Sequence, residues 1–204
     1  MTSAGIRYGS GGADATPWTM ARLPSSRTVV GGTIATAVSA IALALALPPL
    51  KEDEGKRNRT YLDIAGIPTA CYGHTGPDVK MGQVRSDAEC EALIGKDAAA
   101  HLWGVARCVP GLQERPYQWA ASLRASYNFG LPTFCKSTAA RRFNADDWAG
   151  GCQALTMFNR VTYAKAQPGR ECIQKKDSNW SCKEPALVAR RERELRQCLK
   201  GLPA

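Results

Sequence analysis

From Thr28 to Leu50 the chain carries no charged residue, and from Val29 to Leu47 it reads VVGGTIATAVSAIALALAL. A run of that length can cross a hydrocarbon core as a helix. The pattern then changes. Short extended pieces are predicted around Tyr61-Leu62-Asp63 and Thr69-Ala70-Cys71-Tyr72, with turn positions at Gly66 and Gly73. A long helix is predicted near 86–107, and helices continue to the C-terminus. Pro110, Pro116, Pro132 and Pro185 fall near helix starts, where proline is tolerated. Residues 1–28 are rich in Gly, Ser, Ala and Thr without periodicity and read as disordered. The pattern divides the chain into a disordered segment (1–28), a membrane segment (29–50) and a body (51–204). The body is α+β and mainly α, with a small mixed lobe at 51–85.

The apolar run is only weakly hydrophobic. Eight of the nineteen residues from Val29 to Leu47 are Val, Ile or Leu, and eleven are Gly, Ala, Ser or Thr. The large apolar residues supply only about −4 kcal/mol of insertion free energy. Arg22 and Arg27 precede the run and Lys51 with three acidic residues follows it, so the N-terminus is expected in the cytoplasm and the body outside. Three readings stand open: an anchor weak enough to leave the bilayer, a signal cleaved after Ala44-Leu45-Ala46, and a fixed anchor. Met1 and Met20 are both candidate starts. Each reading exports residues 51–204. The eight cysteines agree, because no CxxC pair occurs and an even count points to disulfides in an oxidising compartment.

Charge narrows the field further. The formal net charge is +9 on 204 residues, and residues 136–204 alone hold fourteen basic and seven acidic side chains. Such an excess suits an anionic partner. Arg190, Arg191, Arg193 and Arg196 alternate with Glu192 and Glu194, which reads as an exposed helix laced with local ion pairs. No nucleic-acid-binding module accompanies these charges, so nucleic acid is not an expected partner. There is no phosphate loop, nucleotide fingerprint or metal-ligand cluster, and no cofactor or metal is expected. Trp103, Trp119, Trp148 and Trp180 read as core or cleft wall.

The stretch 52–75 carries the chemistry. Glu54 sits at a helix end before Gly55, and Asp63 lies on a neighbouring extended piece. Two such carboxylates can face each other across a cleft. Glycoside hydrolysis needs that pair: a protonated acid for the leaving oxygen, and a carboxylate for water or for direct attack. The order Glu54, eight residues, Asp63, five residues, Thr69, followed by Tyr72-Gly73-His74-Thr75, resembles the catalytic segment of phage-type muramidases, glycoside hydrolase family 24. The likeness continues through Ala88–Leu93 with Lys96-Asp97, through Ser126-Tyr127-Asn128-Phe129-Gly130, and through Ser137-Thr138 to Phe143-Asn144-Ala145-Asp146. It spans roughly residues 50–200. The N-terminal run is similar to the signal-anchor-release subgroup of phage endolysins, in which a Gly/Ala-rich helix tethers an inactive enzyme and later leaves the membrane.

The resemblance implies a two-lobed lysozyme-like fold and hydrolysis of the β-1,4 bond between N-acetylmuramic acid and N-acetylglucosamine in peptidoglycan. Its rivals are a lytic transglycosylase and an inactive wall-binding protein on the same fold. It implies Glu54 as general acid, with Asp63 and Thr69 holding the attacking water. It pairs His74 with Asp97 as a structural ion pair. It turns Asn128 toward the cleft, where the alternative is a buried, satisfied amide. His101 has no motif context and reads as a surface or packing residue. The resemblance also suggests disulfides Cys71–Cys90 and Cys152–Cys198. Cys172 with Cys182 closes a short inserted loop, and Cys108 with Cys135 remains. The implied partners are peptidoglycan, the inner membrane through residues 29–47, the export machinery, and a holin acting indirectly. The implied location is the inner membrane with the body in the periplasm, followed by release. Residues 1–70 contain no cysteine, so activation by thiol exchange in the anchor is not available; repositioning of Glu54 on release is expected instead.

Overall fold

The computed structural model describes residues 29–63 and 66–203, with side chains described from Thr36 onward. The disordered segment read at 1–28 and both candidate starts lie outside the described residues. Helix α1 (Val29–Glu54) leads into strands β1 (Arg57–Leu62), β2 (Pro68–Cys71) and β3 (His74–Thr75). Helix α2 (Asp87–Cys108) and a 3-10 turn (Pro110–Glu114) follow, then α3 (Pro116–Phe129), α4 (Leu131–Cys135), α5 (Thr138–Asn144) and α6 (Trp148–Leu155). Strands β4 (Arg160–Tyr163), β5 (Cys172–Gln174) and β6 (Trp180–Lys183) precede the last helix, α7 (Pro185–Cys198).

Local chemistry explains the boundaries. Ser86 and Glu89 form a reciprocal capping box that starts α2, and Ser137 and Asp147 cap α5 and α6 through their side chains. Pro116 and Pro185 open α3 and α7, where a missing N–H costs no helical bond. The first sheet is antiparallel in the order β1-β2-β3, and the second is antiparallel in the order β4-β6-β5. The second sheet is where the sequence predicted a simple inserted loop. Val161 and Tyr163 alternate inward along β4, and Cys172 faces Cys182 across the β5–β6 pair and bonds to it. The remaining cysteines pair as Cys71–Cys90, Cys108–Cys135 and Cys152–Cys198.

The core gathers around α3. Trp119 is wholly buried and donates its indole N–H to the Leu102 carbonyl at 2.7 Å; Phe134, Phe143, Leu112, Leu123 and Leu155 surround it. Helix α1 joins this core. Ala42, Ala46 and Leu50, four residues apart, are all fully buried, so one stripe of the helix lies on α3 and α2. The helix passes without interruption across the boundary at residue 50 that the hydropathy pattern suggests. Among the described residues no helix is long and apolar enough to cross a membrane.

Pro48 and Pro49 lie inside α1. Pro49 cannot supply the N–H that would bond the Leu45 carbonyl one turn back. Gln197 of α7 takes over that task, with Nε2 donating to Leu45 O at 2.8 Å while its Oε1 accepts from Arg124 Nη1 at 2.8 Å. Gln197→Leu therefore leaves two partners unsatisfied at once. The expected cost is about 1–3 kcal/mol, read as a fall in Tm of roughly 2–4 °C for each kcal/mol in calorimetry. An unchanged Tm would show that water replaces the glutamine without loss.

Candidate active site

Glu54 is the last residue of α1. Gly55, at φ +66°, ends the helix in the left-handed conformation and returns its N–H to Lys51 O at 3.0 Å. The chain then turns directly into β1. Glu54 therefore stands at the junction of helix and sheet, and its side chain is only 20% exposed. Its Oε1 lies 2.8 Å from Arg190 Nη2 of α7. Its Oε2 reaches to 4.0 Å from where a side chain at Gly73 would begin, in the tight β2–β3 turn. A Cβ there would meet the carboxylate at ordinary contact distance, but any side chain would strain a backbone held at φ +88°.

Burial pushes the Glu54 carboxyl above its ordinary range, and the Arg190 charge only partly opposes that rise. Its neighbour Asp53 is driven the other way. Burial alone would raise Asp53 as well, but hydrogen bonds from Arg124 and Arg193 hold it below the usual carboxylate range. The Asp53 side chain is 2% exposed, with Arg124 Nη2 at 2.7 Å, Arg193 Nη2 at 2.6 Å and Arg190 Nε at 3.5 Å. Two consecutive carboxylates thus have opposed environments. One is favoured as an acid and the other as an anion.

Asp63 and Thr69 come together on the β1–β2 hairpin. Asp63 follows β1 and faces Ile67, while Thr69 on β2 pairs with Tyr61. The alternation of a strand puts Asp63 and Thr69 on one face. Both side chains grip Ile67: Asp63 Oδ1 accepts its N–H at 2.9 Å, and Thr69 Oγ1 donates to its carbonyl at 3.0 Å. Thr69 is buried.

Besides the Asn58 amide donating to Asp87 at 2.7 Å, the sheet and its turn are tied to α2 at three points. These are the Cys71–Cys90 disulfide, Tyr72 Oη donating to Glu91 at 2.9 Å, and His74 Nδ1 at 2.7 Å from Asp97. The predicted partners His74 and Asp97 are therefore in contact. A cleft of about 340 Å³ is lined by Gly73, Thr75, Asp97, Ala100, His101 and Tyr127, and Glu54 approaches it through Gly73 without lining it. Tyr127 closes one wall by donating its hydroxyl to Tyr72 O at 3.1 Å. His101, read from the sequence as a surface or packing residue, is one of the lining groups. Asn128 lies one residue before the end of α3, and its Oδ1 accepts from Arg191 Nη2 at 3.0 Å. Among the described residues, no group of His, Cys, Asp and Glu is arranged to hold a metal ion.

Helix α7 departs most from the sequence reading. It is not an exposed ladder of ion pairs. Arg190, Arg191 and Glu194 are buried, and Glu194 is fully so. With Leu187 and Cys198 they form one inward stripe at helical spacing. Glu194 receives Arg190 Nε at 3.2 Å and Arg191 Nη2 at 3.1 Å. Burial lowers the Arg191 guanidinium to about 10 and raises the Glu194 carboxyl. The apolar ends of the stripe were a usable signal. The charges between them hid it.

Comparison with known proteins places this arrangement. Residues 51–194 match the Phage lysozyme family. A SAR-endolysin of Bacteriophage PS119 is 35% identical over 187 residues, covering 89% of this chain and 99% of that protein. A SAR-endolysin of Pseudomonas phage phiKMV is 36% identical over 159 residues, covering 78% and 89%. Among solved structures, the muramidase domain of SpmX from Asticaccaulis excentricus superposes with a TM-score of 0.61 at 20% identity, covering 80% of this chain and 97% of that one. The active form of P1 phage endolysin Lyz does so with a TM-score of 0.59 at 20% identity, covering 84% and 94%. The fold is lysozyme-like, mainly helical with small sheets, and the chain belongs to the phage lysozyme family.

Proposed function

We propose that this chain is an endolysin that hydrolyses the β-1,4 bond between N-acetylmuramic acid and N-acetylglucosamine in peptidoglycan. The carrying observation is the Glu54 carboxyl, held by Arg190 beside the cleft and raised by burial. Protonated Glu54 gives its proton to the glycosidic oxygen as the bond breaks. Asp63 and Thr69 hold the water that attacks the anomeric carbon from the other face, with Asp63 accepting its proton, which inverts that centre. Asn128 is assigned to the substrate side, with its amide oxygen oriented by Arg191.

The proposal extends to residues 29–47 as a releasable membrane anchor, inserted by the export machinery with the body in the periplasm. A holin acts on it only indirectly. A helix spanning lipid cannot also lay Ala42, Ala46 and Leu50 on the core. Tethering therefore withholds Asp53 and Glu54 from Arg124 and Arg190, and release returns them. Support comes from the weak hydrophobicity of the run and from the small residues along its buried stripe.

The test is the chemistry of the product ends. Digestion of purified peptidoglycan should yield reducing N-acetylmuramic acid ends by mass spectrometry. Anhydro-muramoyl ends would overturn hydrolysis in favour of transglycosylation, and an absence of soluble product would overturn catalysis.

A further inference from the structure

His101 lies on α2, one turn beyond Asp97, and lines the cleft together with Asp97 and Tyr127. Its ring stands 5.1 Å from the Tyr127 ring, and its Nδ1 lies 3.0 Å from Ser126 Oγ. Ser126 is fully buried and directs its hydroxyl at the Leu123 carbonyl at 2.9 Å. A serine hydroxyl has one hydrogen. With that hydrogen committed to Leu123, Ser126 Oγ can only accept from the imidazole. The contact therefore fixes the tautomer: Nδ1 carries the hydrogen, and Nε2 keeps a lone pair.

We propose that His101 Nε2 is a hydrogen-bond acceptor for the glycan strand in the cleft, taking an N–H or O–H donor of the sugar. The inference rests on the reading of this cleft as the glycan site. Burial lowers the imidazole pKa, with the Asp97 charge opposing, which favours the neutral ring. Asp97 is already engaged by His74, and Tyr127 Oη by the Tyr72 carbonyl. Among the described residues no protein hydrogen bond engages His101 Nε2, Asp97 Oδ1 or Thr75 Oγ1 in this cleft, and of the three only the imidazole has its acceptor atom fixed by a buried partner on its other nitrogen. A glycan offers donors in its acetamido N–H groups and its free hydroxyls.

Two substitutions separate contact from support. Asn at 101 can still donate to Ser126 through Nδ2 but has nothing at the Nε2 position. Gln can place Oε1 near that position. His101→Asn should weaken binding of a muramoyl-glucosaminyl oligosaccharide about five-fold in calorimetry, and should raise KM by the same factor with kcat little changed. His101→Gln should recover part of that loss. Tm should distinguish the two variants little. Peptidoglycan acetylated on the muramoyl C6 hydroxyl identifies the donor. If the penalty of His101→Asn disappears on that substrate, the donor is the hydroxyl. If it persists, the donor is an amide N–H or a glucosaminyl hydroxyl. The inference is overturned if His101→Asn binds as the native protein does, if His101→Gln is no better than His101→Asn, or if the native protein shows no affinity for the oligosaccharide. Because binding is measured directly, a native protein that binds but yields no product overturns the hydrolytic reading and leaves the His101 contact standing.

Discussion

Glu54→Gln is expected to reduce peptidoglycan hydrolysis by about 10²–10⁴-fold, the range associated with loss of a positioned general acid. The substitution keeps shape and polarity and removes only the transferable proton. Folding should survive it. Burial raises the Glu54 pKa, so the site already favours an uncharged group at that position. The sign of the pH dependence follows. A carboxyl whose folded pKa is raised binds its proton more tightly in the native state than in the unfolded chain. Its stabilising share is present below the ordinary carboxylate range and is lost as pH rises through the raised value. In Glu54→Gln that part of the pH dependence should vanish from the melting curve while activity is gone at every pH. A variant that unfolds instead would show the loss of activity to be structural.

The same environment sets the alkaline limit of the native enzyme. Activity should fall as Glu54 deprotonates. Arg190 lowers the Glu54 pKa by charge and by contact. Arg190→Gln should therefore move the alkaline limb of kcat/KM to higher pH, and Arg190→Lys should move it less. A limb that stays in place in both would remove Glu54 from the role of titrating acid.

The spacing of the proposed catalytic residues was legible because it is local. Glu54, Gly55, Asp63 and Thr69 lie within one helix end and one hairpin, and glycine and strand alternation place their backbone, while the Glu54 side chain takes its partner from distant Arg190. Helix α7 was not legible for the opposite reason. The partners that bury its charges are Asp53, Glu54, Arg124 and Asn128, some sixty to one hundred and forty residues away. Alternating Arg and Glu look solvated until those partners are known. The second sheet fell between these cases. Val161 and Tyr163 alternate as a strand should, but four residues are too few to stand out, and only pairing with β6 gives them meaning. His101 carried no signal at all, since its significance is a tautomer set by Ser126 one helix away.

The largest structural effect should come from the residue beside the proposed acid. Asp53 is 2% exposed and lies among Arg124, Arg190 and Arg193. Placing a carboxylate there costs desolvation, and its arginine contacts offset that cost without an obvious surplus. Removing it is another matter. Asp53→Ala would leave the equally buried Arg124 with its charge uncompensated, a loss of about 3–5 kcal/mol. That corresponds to roughly 2–4 °C in Tm for each kcal/mol. The pH dependence is opposite to that of Glu54. Because Asp53 is depressed in the folded state, its contribution is fully present above the ordinary carboxylate pKa and is lost as pH falls through the lowered value. Asp53→Ala should therefore lose most at neutral pH and converge with the native protein in strong acid. Asp53→Asn, which keeps acceptor geometry on one oxygen, should fall between the two. The same contacts pin the last turn of α1, which Gly55 ends, and with it the direction of Glu54. Asp53→Ala should accordingly lower kcat as well as Tm, even well below its melting point. Full kcat at such a temperature would show that Asp53 holds the fold together without aligning the acid.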